Sequence, residues 1–420
     1  MDKFIVHGNT RLQGTVAISG AKNASLALMP ACLLTGGTLT LTNTPNNRDL
    51  GTMSRLLSSM GVSMHLDGDV LSLDASNVTS HEAPYEHVKQ MRASIYVLGP
   101  LVARYGKARV SLPGGCNFGP RPVDLHLKGL EKLGATIELS EGYINASCER
   151  LQGTHFHFDI SSVGASVNIL TAAVLAKGHT TLTNVAIEPE VTAVAQMLVR
   201  MGAKIEGIGT TTLEIDGVDE LHPVTEATIP DRIEAATFML AAAMTRGDVT
   251  LTNVEPSHLS AVTQSMEESG CSVQIDGSTM RVRLDQTPEA VDVTAAIYPG
   301  FPTDTQAQWA AYMLTAQGAS RIKDTIYPTR FGYVPELQRL GATIETGEGY
   351  CVVKGGANLT GATVMSSDLR ASVSLVMAGL VADGSTEILR VYHLDRGYEA
   401  LEQKLGGLGA RIERHSTEVY

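Results

Sequence analysis

Apolar and polar residues follow a pattern that recurs six times along the chain. In each copy an apolar, helix-like stretch ends at a glycine, and a strand-like alternation of β-branched and polar residues follows. The glycines are Gly61, Gly134, Gly202, Gly270, Gly341 and Gly409. Neighbouring copies lie 68 to 73 residues apart. Glycine in this place favours the left-handed backbone that stops a helix, so the pattern predicts six similar modules.

A second pattern runs in step with the first. In each module an apolar helix of about fourteen residues is predicted to end at a glycine, and a β-rich segment is predicted to follow it. These glycines are residues 37, 106, 178, 247, 318 and 384. The β-rich segments are residues 38–43, 108–112, 180–185, 249–254, 320–325 and 386–391. Six α/β modules, three to a domain, would give two similar domains of ordinary size.

Composition and charge narrow the class of protein. The 420 residues carry a net charge of −12, which argues against a nucleic-acid-binding protein. The N-terminal residues show no secretory signal pattern, and the longest apolar stretches are too short to span a bilayer, so a cytoplasmic protein is expected. The five cysteines form no CxxC pair and the twelve histidines show no HExxH spacing. This pattern indicates reduced thiols and predicts no metal site.

Polar residues recur where the first helix of each module is predicted to begin. These positions hold Lys22, Arg92, Ser162, Arg232, Asp304 and Arg370. The loops after the strands carry Arg48, Arg121, Arg330 and Arg396. Free N–H groups at helix N-termini attract anions, and arginine matches phosphate and carboxylate groups bidentately. The set therefore predicts groups that face a ligand with several anionic groups, although helix capping and solubility are the alternative explanation.

The loop of the second module is longer than the others and ends in a Gly-Gly-Cys tip within residues 113–126. Arg121 would favour the thiolate of Cys116, and Arg121, Asp124 and His126 are expected to form a charged cluster behind it. An incidental cysteine in a surface turn is the alternative. There is no P-loop and no Rossmann glycine fingerprint. A proton donor or nucleophile at Cys116 and a carboxylate base at Asp304 suit group transfer to or from a phosphorylated small molecule.

Taken together, these motifs resemble those of the UDP-N-acetylglucosamine 1-carboxyvinyltransferases, enolpyruvyl transferases of the EPSP synthase superfamily that open bacterial peptidoglycan synthesis. The resemblance covers essentially the whole chain. It rests on residues 19–24, 91–96, 113–126, 162–166, 229–234, 301–308, 330–337, 367–372 and 393–398. It implies an α/β fold of two inside-out α/β barrel domains with three repeats each, and an active site in the cleft between them. Residues 20–229 would form the first domain, and residues 1–19 with 230–420 the second.

The resemblance also implies a role for each matched residue. Lys22, Asn23, Arg121 and Arg396 would hold phosphoenolpyruvate. The nucleotide would contact Arg92, Arg121, Pro122, Val123, Asp124, Leu125, Ser162, Val163, Gly164 and Ile326. Asp304 would accept the proton of the sugar 3′-hydroxyl, and Cys116 would protonate the methylene carbon. Arg330, Asp368 and Arg370 would steady the charge network. No metal, cofactor, nucleic acid or membrane is implied; the oligomeric state is left open, and a monomer is compatible with these roles.

Two positions differ from many members of that family, and three other functions stay open at this point. Tyr96 stands where many relatives carry Trp, and Ile160 stands where some carry Lys. A transferase acting on shikimate 3-phosphate would share the architecture but lack the cysteine loop. A catalytically silent paralogue would bind the sugar nucleotide but be expected to lose Cys116, Asp304 or Lys22. A cyclase acting on RNA ends is disfavoured by the acidic net charge.

Overall fold

The computed structural model of the protein describes residues 2–89, 91–112 and 123–416. These residues form 24 strands and 14 α-helices. The strands are β1 (Asp2–His7), β2 (Gln13–Ala17), β3 (Thr38–Thr42), β4 (Ser63–Asp67), β5 (Val70–Asp74), β6 (Glu82–Ala83), β7 (Lys107–Ser111), β8 (Thr136–Ser140), β9 (Tyr143–Ser147), β10 (His155–His157), β11 (His179–Thr183), β12 (Lys204–Glu206), β13 (Thr212–Asp216), β14 (Thr225–Ala227), β15 (Asp248–Thr252), β16 (Ser272–Asp276), β17 (Thr279–Arg283), β18 (Val293–Ala295), β19 (Ala319–Asp324), β20 (Thr343–Gly347), β21 (Tyr350–Lys354), β22 (Thr363–Met365), β23 (Ser385–Leu389) and β24 (Ile412–Ser416).

The α-helices and several short 3₁₀-helices lie between these strands. The α-helices are α1 (Lys22–Leu28), α2 (Arg48–Ser59), α3 (Tyr85–Val88), α4 (Leu98–Tyr105), α5 (Asp124–Lys132), α6 (Val163–Ala173), α7 (Pro189–Arg200), α8 (Arg232–Met244), α9 (Ser260–Glu268), α10 (Gln306–Met313), α11 (Val334–Arg339), α12 (Val373–Val381), α13 (Leu394–Gly397) and α14 (Leu401–Gly407). The 3₁₀-helices are Met29–Leu34, Arg92–Val97, Pro256–Leu259, Thr303–Thr305 and Val391–His393.

The strands pair into six four-stranded sheets that share one plan. In each sheet a short edge strand lies parallel to a central strand, which pairs antiparallel with a third strand, and the third pairs antiparallel with the fourth. The sheets are β14-β3-β5-β4, β6-β7-β9-β8, β10-β11-β13-β12, β2-β15-β17-β16, β18-β19-β21-β20 and β22-β23-β1-β24. The alternation of Thr and Leu in β3 explains the register, because Leu39 and Leu41 oppose Leu73 and Leu71 on the buried face.

The sixth sheet takes its third strand from the start of the chain. There β1 lies between β23 and β24 and pairs antiparallel with both, so Phe4 opposes Ile388 on one side and Arg414 on the other. In the other five sheets the third strand directly follows the fourth along the chain. Phe4 and Val6 are fully buried, which holds the N-terminal strand in place by burial of apolar surface as well as by backbone hydrogen bonds.

The chain divides into two compact units, each with three of the sheets. The continuous unit is Gly20–Ile229, and the split unit is Met1–Ser19 with Pro230–Tyr420. Each unit has its own hydrophobic core. In the split unit α8, α10 and α12 pack against one another and are buried on nearly every face, while the strands alternate buried and partly exposed residues. The helices therefore lie inside and the sheets outside, which confirms the inside-out α/β architecture.

The glycines predicted to end the second helix of each module are confirmed as helix stops. Those predicted to end the first helix are partly wrong. All six glycines after the second helices have positive φ, from +91° at Gly270 to +109° at Gly202, as a helix-stopping glycine requires. The first helices are shorter than predicted, because part of each apolar stretch is 3₁₀-helix or turn. Gly247 does not stop α8. Arg246 takes the left-handed conformation there, at φ +52°, and Gly247 instead allows a close approach of Leu12, whose carbonyl oxygen would lie 2.2 Å from a Cβ.

Candidate active site

Three of the six polar positions predicted to begin helices hold the first residue of a helix, and the other three lie at or near a helix start. Lys22, Arg92 and Arg232 are the first residues of their helices, and Ser162 caps α6 by accepting a hydrogen bond from the Ala165 N–H at 3.3 Å. Asp304 lies in the 3₁₀-helix that leads into α10, and Arg370 lies just before α12. The repeat therefore places one polar side chain near the start of each of six inner helices.

Lys22 is held next to a carboxylate in the continuous unit. The side chains of Lys22 and Asp49 are both buried, with Nζ 3.5 Å from Asp49 Oδ2. Asp49 lies in the first turn of α2, whose N-cap Asn47 accepts a hydrogen bond from the Leu50 N–H at 3.1 Å. Asn23 follows Lys22 in α1. A buried ammonium group supported in this way suits recognition of an anionic ligand, because burial strengthens its electrostatic interactions.

Two predicted nucleotide-binding segments meet at the starts of α5 and α6. Val123 is the N-cap residue of α5, and Asp124 and Leu125 form its first turn. Val163 and Gly164 form the first turn of α6. A Cβ on Gly164 would lie 3.3 Å from His126 Cε1 and 3.8 Å from a ring carbon of Tyr96, so the absence of a side chain permits this close approach. The structure therefore brings these predicted residues together.

His126 corrects one expectation from the sequence. Burial lowers its pKa to about 4, against the opposing effect of the Asp124 carboxylate, so the side chain is neutral near pH 7 and is not part of a charged cluster. Asn168 fixes its tautomer. Asn168 Oδ1 accepts the Gly99 N–H, so Nδ2 is the donor to the Ile95 carbonyl at 2.9 Å and to His126 Nδ1 at 2.8 Å. The proton of His126 is therefore on Nε2.

In the split unit a buried arginine joins two acidic residues. Arg330 Nη1 donates to Asp304 Oδ1 at 2.6 Å, and Arg330 Nε donates to Asp368 Oδ2 at 2.9 Å. Burial opposes the charged form of Arg330, but the carboxylates of Asp368 and Asp304 outweigh it and raise its pKa. Burial likewise opposes ionisation of Asp368, but Arg330 and two backbone N–H groups hold its pKa below the usual range. Both members of this pair are therefore ionised in the fold.

A second buried pair anchors the helix that carries Arg396. Arg370 is fully buried and donates from Nη2 to Asp231 Oδ2 at 2.7 Å and from Nη1 to the Gly397 carbonyl at 2.6 Å. Asp231 in turn caps α8 through the N–H groups of Ile233 and Glu234. Because Gly397 ends α13, which also carries Arg396, Arg370 connects that helix to the start of α8.

Ile326 is connected through Asp324 to the cluster formed by Asp304, Arg330 and Asp368. Asp324 Oδ1 accepts the Ile326 N–H at 2.9 Å, and its Oδ2 accepts the Thr303 hydroxyl at 2.6 Å. Thr303 is the neighbour of Asp304 in the 3₁₀-helix. The structure thus brings Asp304, Ile326, Arg330 and Asp368 together within the split unit.

Several supporting residues were not singled out from the sequence. Asp49, Asp231, Asp324 and Asn168 hold the predicted residues in place through the contacts above. A sequence signal exists for Asp231, because Asp followed three residues later by Glu234 at a helix start is typical of a capping box. The other three are paired through the fold and leave no local signal.

The thiol of Cys116, together with Arg121 and Pro122, lies outside the described residues. The other four cysteines are described and unbridged. Burial raises the pKa of Cys32, Cys271 and Cys351 to about 12 and also raises that of half-buried Cys148. These four thiols are therefore protonated near pH 7, as expected of cysteines with packing roles.

The described part of the chain offers neither a grouped set of metal ligands nor a membrane-spanning helix. Among residues 2–89, 91–112 and 123–416, no three His, Cys, Asp or Glu side chains are grouped as ligands for a metal ion. In these ranges no helix has the length and apolar character needed to cross a membrane.

Comparison with known proteins identifies the class to which this fold and site belong. Residues 6–405 match the model of the EPSP synthase (3-phosphoshikimate 1-carboxyvinyltransferase) family, and the chain belongs to this family of enolpyruvyl transferases. Its relatives include two proteins named UDP-N-acetylglucosamine 1-carboxyvinyltransferase. The one from Chlorobium chlorochromatii is 53% identical and covers 100% of both chains, and the one from Desulfosudis oleivorans is 54% identical over 99% of both.

Solved structures show the same fold. The enolpyruvyl transferase NikO from Streptomyces tendae superposes with a TM-score of 0.91 at 26% identity, covering 99% of both chains. An EPSP synthase from Acinetobacter baumannii superposes with a TM-score of 0.75 at 19% identity, covering 99% of this chain and 100% of that one. The second likeness concerns the fold alone.

Proposed function

We propose that the protein transfers the enolpyruvyl group of phosphoenolpyruvate to the 3′-hydroxyl of UDP-N-acetylglucosamine and releases phosphate, as the first committed step of peptidoglycan synthesis in the cytoplasm. The observation that carries this proposal is full-length identity of more than 50% to relatives named for this activity. The polar clusters around Lys22 and Arg330 support it, because each holds a buried cation in a fixed place.

Asp304 is the proton acceptor in this proposal. Its carboxylate is 25% exposed, and Arg330 holds one of its oxygens from the buried side. It removes the proton of the sugar 3′-hydroxyl while that oxygen bonds to C2 of phosphoenolpyruvate. Cys116 gives a proton to C3, which yields a tetrahedral intermediate with ether and phosphate on C2. Loss of phosphate, together with a proton from C3, restores the double bond in the enolpyruvyl ether.

Lys22, Asn23, Arg121 and Arg396 hold the phosphate and carboxylate of phosphoenolpyruvate, where their charges also stabilise the departing phosphate. The nucleotide contacts the starts of α5 and α6, with Arg92, Arg121 and Pro122 beside them and Ile326 from the split unit. Asp368 and Arg370 act through Asp304 and Arg396 as positioning residues, because Arg370 is fully buried and bonded within the protein.

The experiment measures phosphate release from phosphoenolpyruvate with UDP-N-acetylglucosamine, with shikimate 3-phosphate and with no acceptor. We expect release only with the sugar nucleotide. Asp304→Asn should lower turnover by at least about 100-fold, because the amide cannot accept the proton. Cys116→Ala should lower turnover to a similar extent while sugar-nucleotide binding, measured by calorimetry, stays within about three-fold.

A thiol control separates the proposed role of Cys116 from general thiol chemistry. Cys148 is half-buried with a raised pKa, so Cys148→Ala should leave turnover and its inhibition by the epoxide fosfomycin unchanged. Peptide mapping should place the fosfomycin adduct on Cys116. Release with shikimate 3-phosphate alone would move the protein to the sister activity, and release with neither acceptor would indicate a binding protein without turnover.

A further inference from the structure

Three side chains form a hydrogen-bonded chain through the centre of the split unit. Gln308 Nε2 lies 2.8 Å from the Asp304 carbonyl oxygen, 3.2 Å from Thr237 Oγ1 and 3.3 Å from the Tyr398 hydroxyl. The Tyr398 hydroxyl lies 2.8 Å from Thr237 Oγ1. All three side chains are buried and lie among the inner helices α8 and α10 and the segment after α13.

The donor and acceptor of each of these hydrogen bonds can be assigned from the protons that each group carries. The Thr237 hydroxyl donates its single proton to the Ile233 carbonyl at 2.8 Å, so Thr237 Oγ1 accepts the proton of the Tyr398 hydroxyl. One proton of the Gln308 amide then goes to the Asp304 carbonyl, and the other is shared between Tyr398 and Thr237. Each bond has one direction, and the chain ends at the backbone of Asp304.

Tyr398 is also attached to the helix that carries Arg396. Its N–H donates to the Leu394 carbonyl at 2.9 Å, which closes α13, and its ring lies 4.9 Å from the guanidinium carbon of Arg370. Arg370 donates to Gly397, the residue before Tyr398. Burial raises the pKa of Tyr398 to about 12, against the opposing effect of Arg370, so its hydroxyl keeps its proton at neutral pH. Tyr398 therefore contacts Gln308, which bonds to the backbone of Asp304. It also contacts Arg370, which holds the helix that carries Arg396.

The continuous unit uses a buried amide in the same place of its repeat. Asn168 lies ten residues before Gly178, as Gln308 lies ten residues before Gly318. Asn168 also joins the inner helix to a residue beside the predicted binding segments, because its Nδ2 donates to His126 Nδ1. The recurrence indicates that a buried amide at this position connects the inner helices to the site.

We propose that Tyr398 is a positioning residue for enolpyruvyl transfer: its hydroxyl, through Gln308, fixes the backbone of Asp304, while its ring and backbone fix the helix that presents Arg396. This inference rests on the proposed roles of Asp304 and Arg396. Tyr398 itself touches no substrate. Its hydroxyl matters because proton transfer from the sugar hydroxyl needs the carboxylate and the phosphoenolpyruvate clamp in one fixed relation.

Tyr398→Phe tests the inference, because it keeps the ring over Arg370 and removes only the hydroxyl. We expect kcat to fall about ten-fold, the KM for phosphoenolpyruvate to rise, and the KM for UDP-N-acetylglucosamine to stay within about two-fold, since most of the proposed nucleotide contacts lie in the other unit. Tyr312→Phe is the matched control. Tyr312 is also buried in the split unit, and its hydroxyl lies 2.7 Å from Ser269 Oγ, away from the proposed site residues. This control should leave kcat and both KM values unchanged.

A second variant tests the route through Gln308. Gln308→Met removes the amide at similar volume and should give a similar fall in kcat, and adding Tyr398→Phe should lower kcat by less than the product of the two single effects. If Tyr398→Phe does not fold, Gln308→Met alone carries the same expectation. The inference is overturned if Tyr398→Phe matches Tyr312→Phe in kcat and KM, or if the two substitutions act independently.

The same assays separate this inference from the proposed function. The proposed function stands if the wild-type protein releases phosphate with the sugar nucleotide and the Asp304→Asn variant does not. This conclusion does not depend on the result for Tyr398→Phe. Wild-type protein with no such activity overturns both, because the positioning role then has no reaction to serve.

Discussion

At the scale of single residues, some buried ionisable groups of the protein are charged and others are neutral. Arg330 and Asp368 are both buried and ionised, because each supplies the counter-charge that the other needs. Among the described residues, none with a charged side chain is bonded to the ring of buried His126, and this residue is neutral. The first arrangement fixes a charge next to Asp304, whereas the second fixes a neutral donor between α5 and α6.

The buried neutral state of His126 predicts a pH dependence of stability. Its pKa is about 4 in the folded protein and near 6.5 when unfolded, so only the unfolded state binds the proton between these values. Stability should therefore fall as the pH drops from 6.5 to 4, by about 3 kcal/mol from this residue, and the effect should level off below pH 4.

Urea titrations of wild type and His126→Asn at several pH values measure this effect. Asparagine keeps an acceptor for Asn168 but has no proton to bind in this range. The difference in unfolding free energy between the two proteins should therefore shrink by about 3 kcal/mol from pH 7 to pH 4. A difference that stays constant with pH would contradict the buried neutral state. Glu220→Gln, at an exposed carboxylate near His222, serves as a surface control.

The sequence located the candidate site residues near helix starts better than it located the residues that support them. Lys22, Ser162 and Asp304 could be found because the repeat places them at equivalent helix starts, and a repeat is visible in one chain. Asp231 could not be found as the partner of Arg370, because 139 residues separate the two and only the fold brings them together. The neutral state of His126 also depends on burial, which its neighbours in sequence do not reveal.

At the scale of elements, the helix-stopping glycines are the most predictable feature. Gly202 has φ +109°, and a Cβ there would meet only His222 Cδ2, at 3.9 Å, so a side chain has space but an unfavourable backbone. The 3₁₀-helices were not predicted, because a segment such as Arg92–Val97 runs without a break into the apolar α-helix that follows it. A hydrophobic period near 3.6 residues does not distinguish a single turn of 3₁₀-helix from a single turn of α-helix.

Two glycine substitutions should change stability in opposite directions. Gly202→Ala should lower the unfolding free energy by about 1 kcal/mol, because alanine disfavours the left-handed backbone. Gly51→Ala should raise it by about 0.5 kcal/mol, because Gly51 lies within α2 and a Cβ there meets only Arg55 Nη1, at 3.7 Å. Thermal and urea unfolding measure both changes. A loss of stability in Gly51→Ala as large as in Gly202→Ala would show that backbone conformation is not the cause.

At the scale of the whole molecule, the two units differ in how the chain builds them. The continuous unit takes all three sheets from residues 20–229, whereas the split unit needs β1 and β2 from the start of the chain. The six-module count and the α/β class could be predicted from the repeat alone. The return of the N-terminal strands to the split unit could not, since β1 and β2 pair with strands more than 200 residues away.

This difference predicts how fragments behave. Residues 20–229 should fold alone. Circular dichroism should show that this fragment unfolds cooperatively in urea. Residues 230–420 should lack cooperative unfolding, because two of their sheets would each miss a strand. Joining residues 1–19 after residue 420 through a flexible linker should restore it, because Asp2 opposes Ser416 and the linker has little distance to cover. Cooperative unfolding of residues 230–420 without those strands would contradict this account.

The position of β1 between β23 and β24 also sets an order of events during synthesis. β1 (Asp2–His7) is translated long before its two neighbours, β23 (Ser385–Leu389) and β24 (Ile412–Ser416). The continuous unit can complete its sheets while the rest of the chain is still being translated. β1 must therefore stay unpaired until β23 and β24 have been translated, so the sixth sheet forms later than the sheets of the continuous unit can.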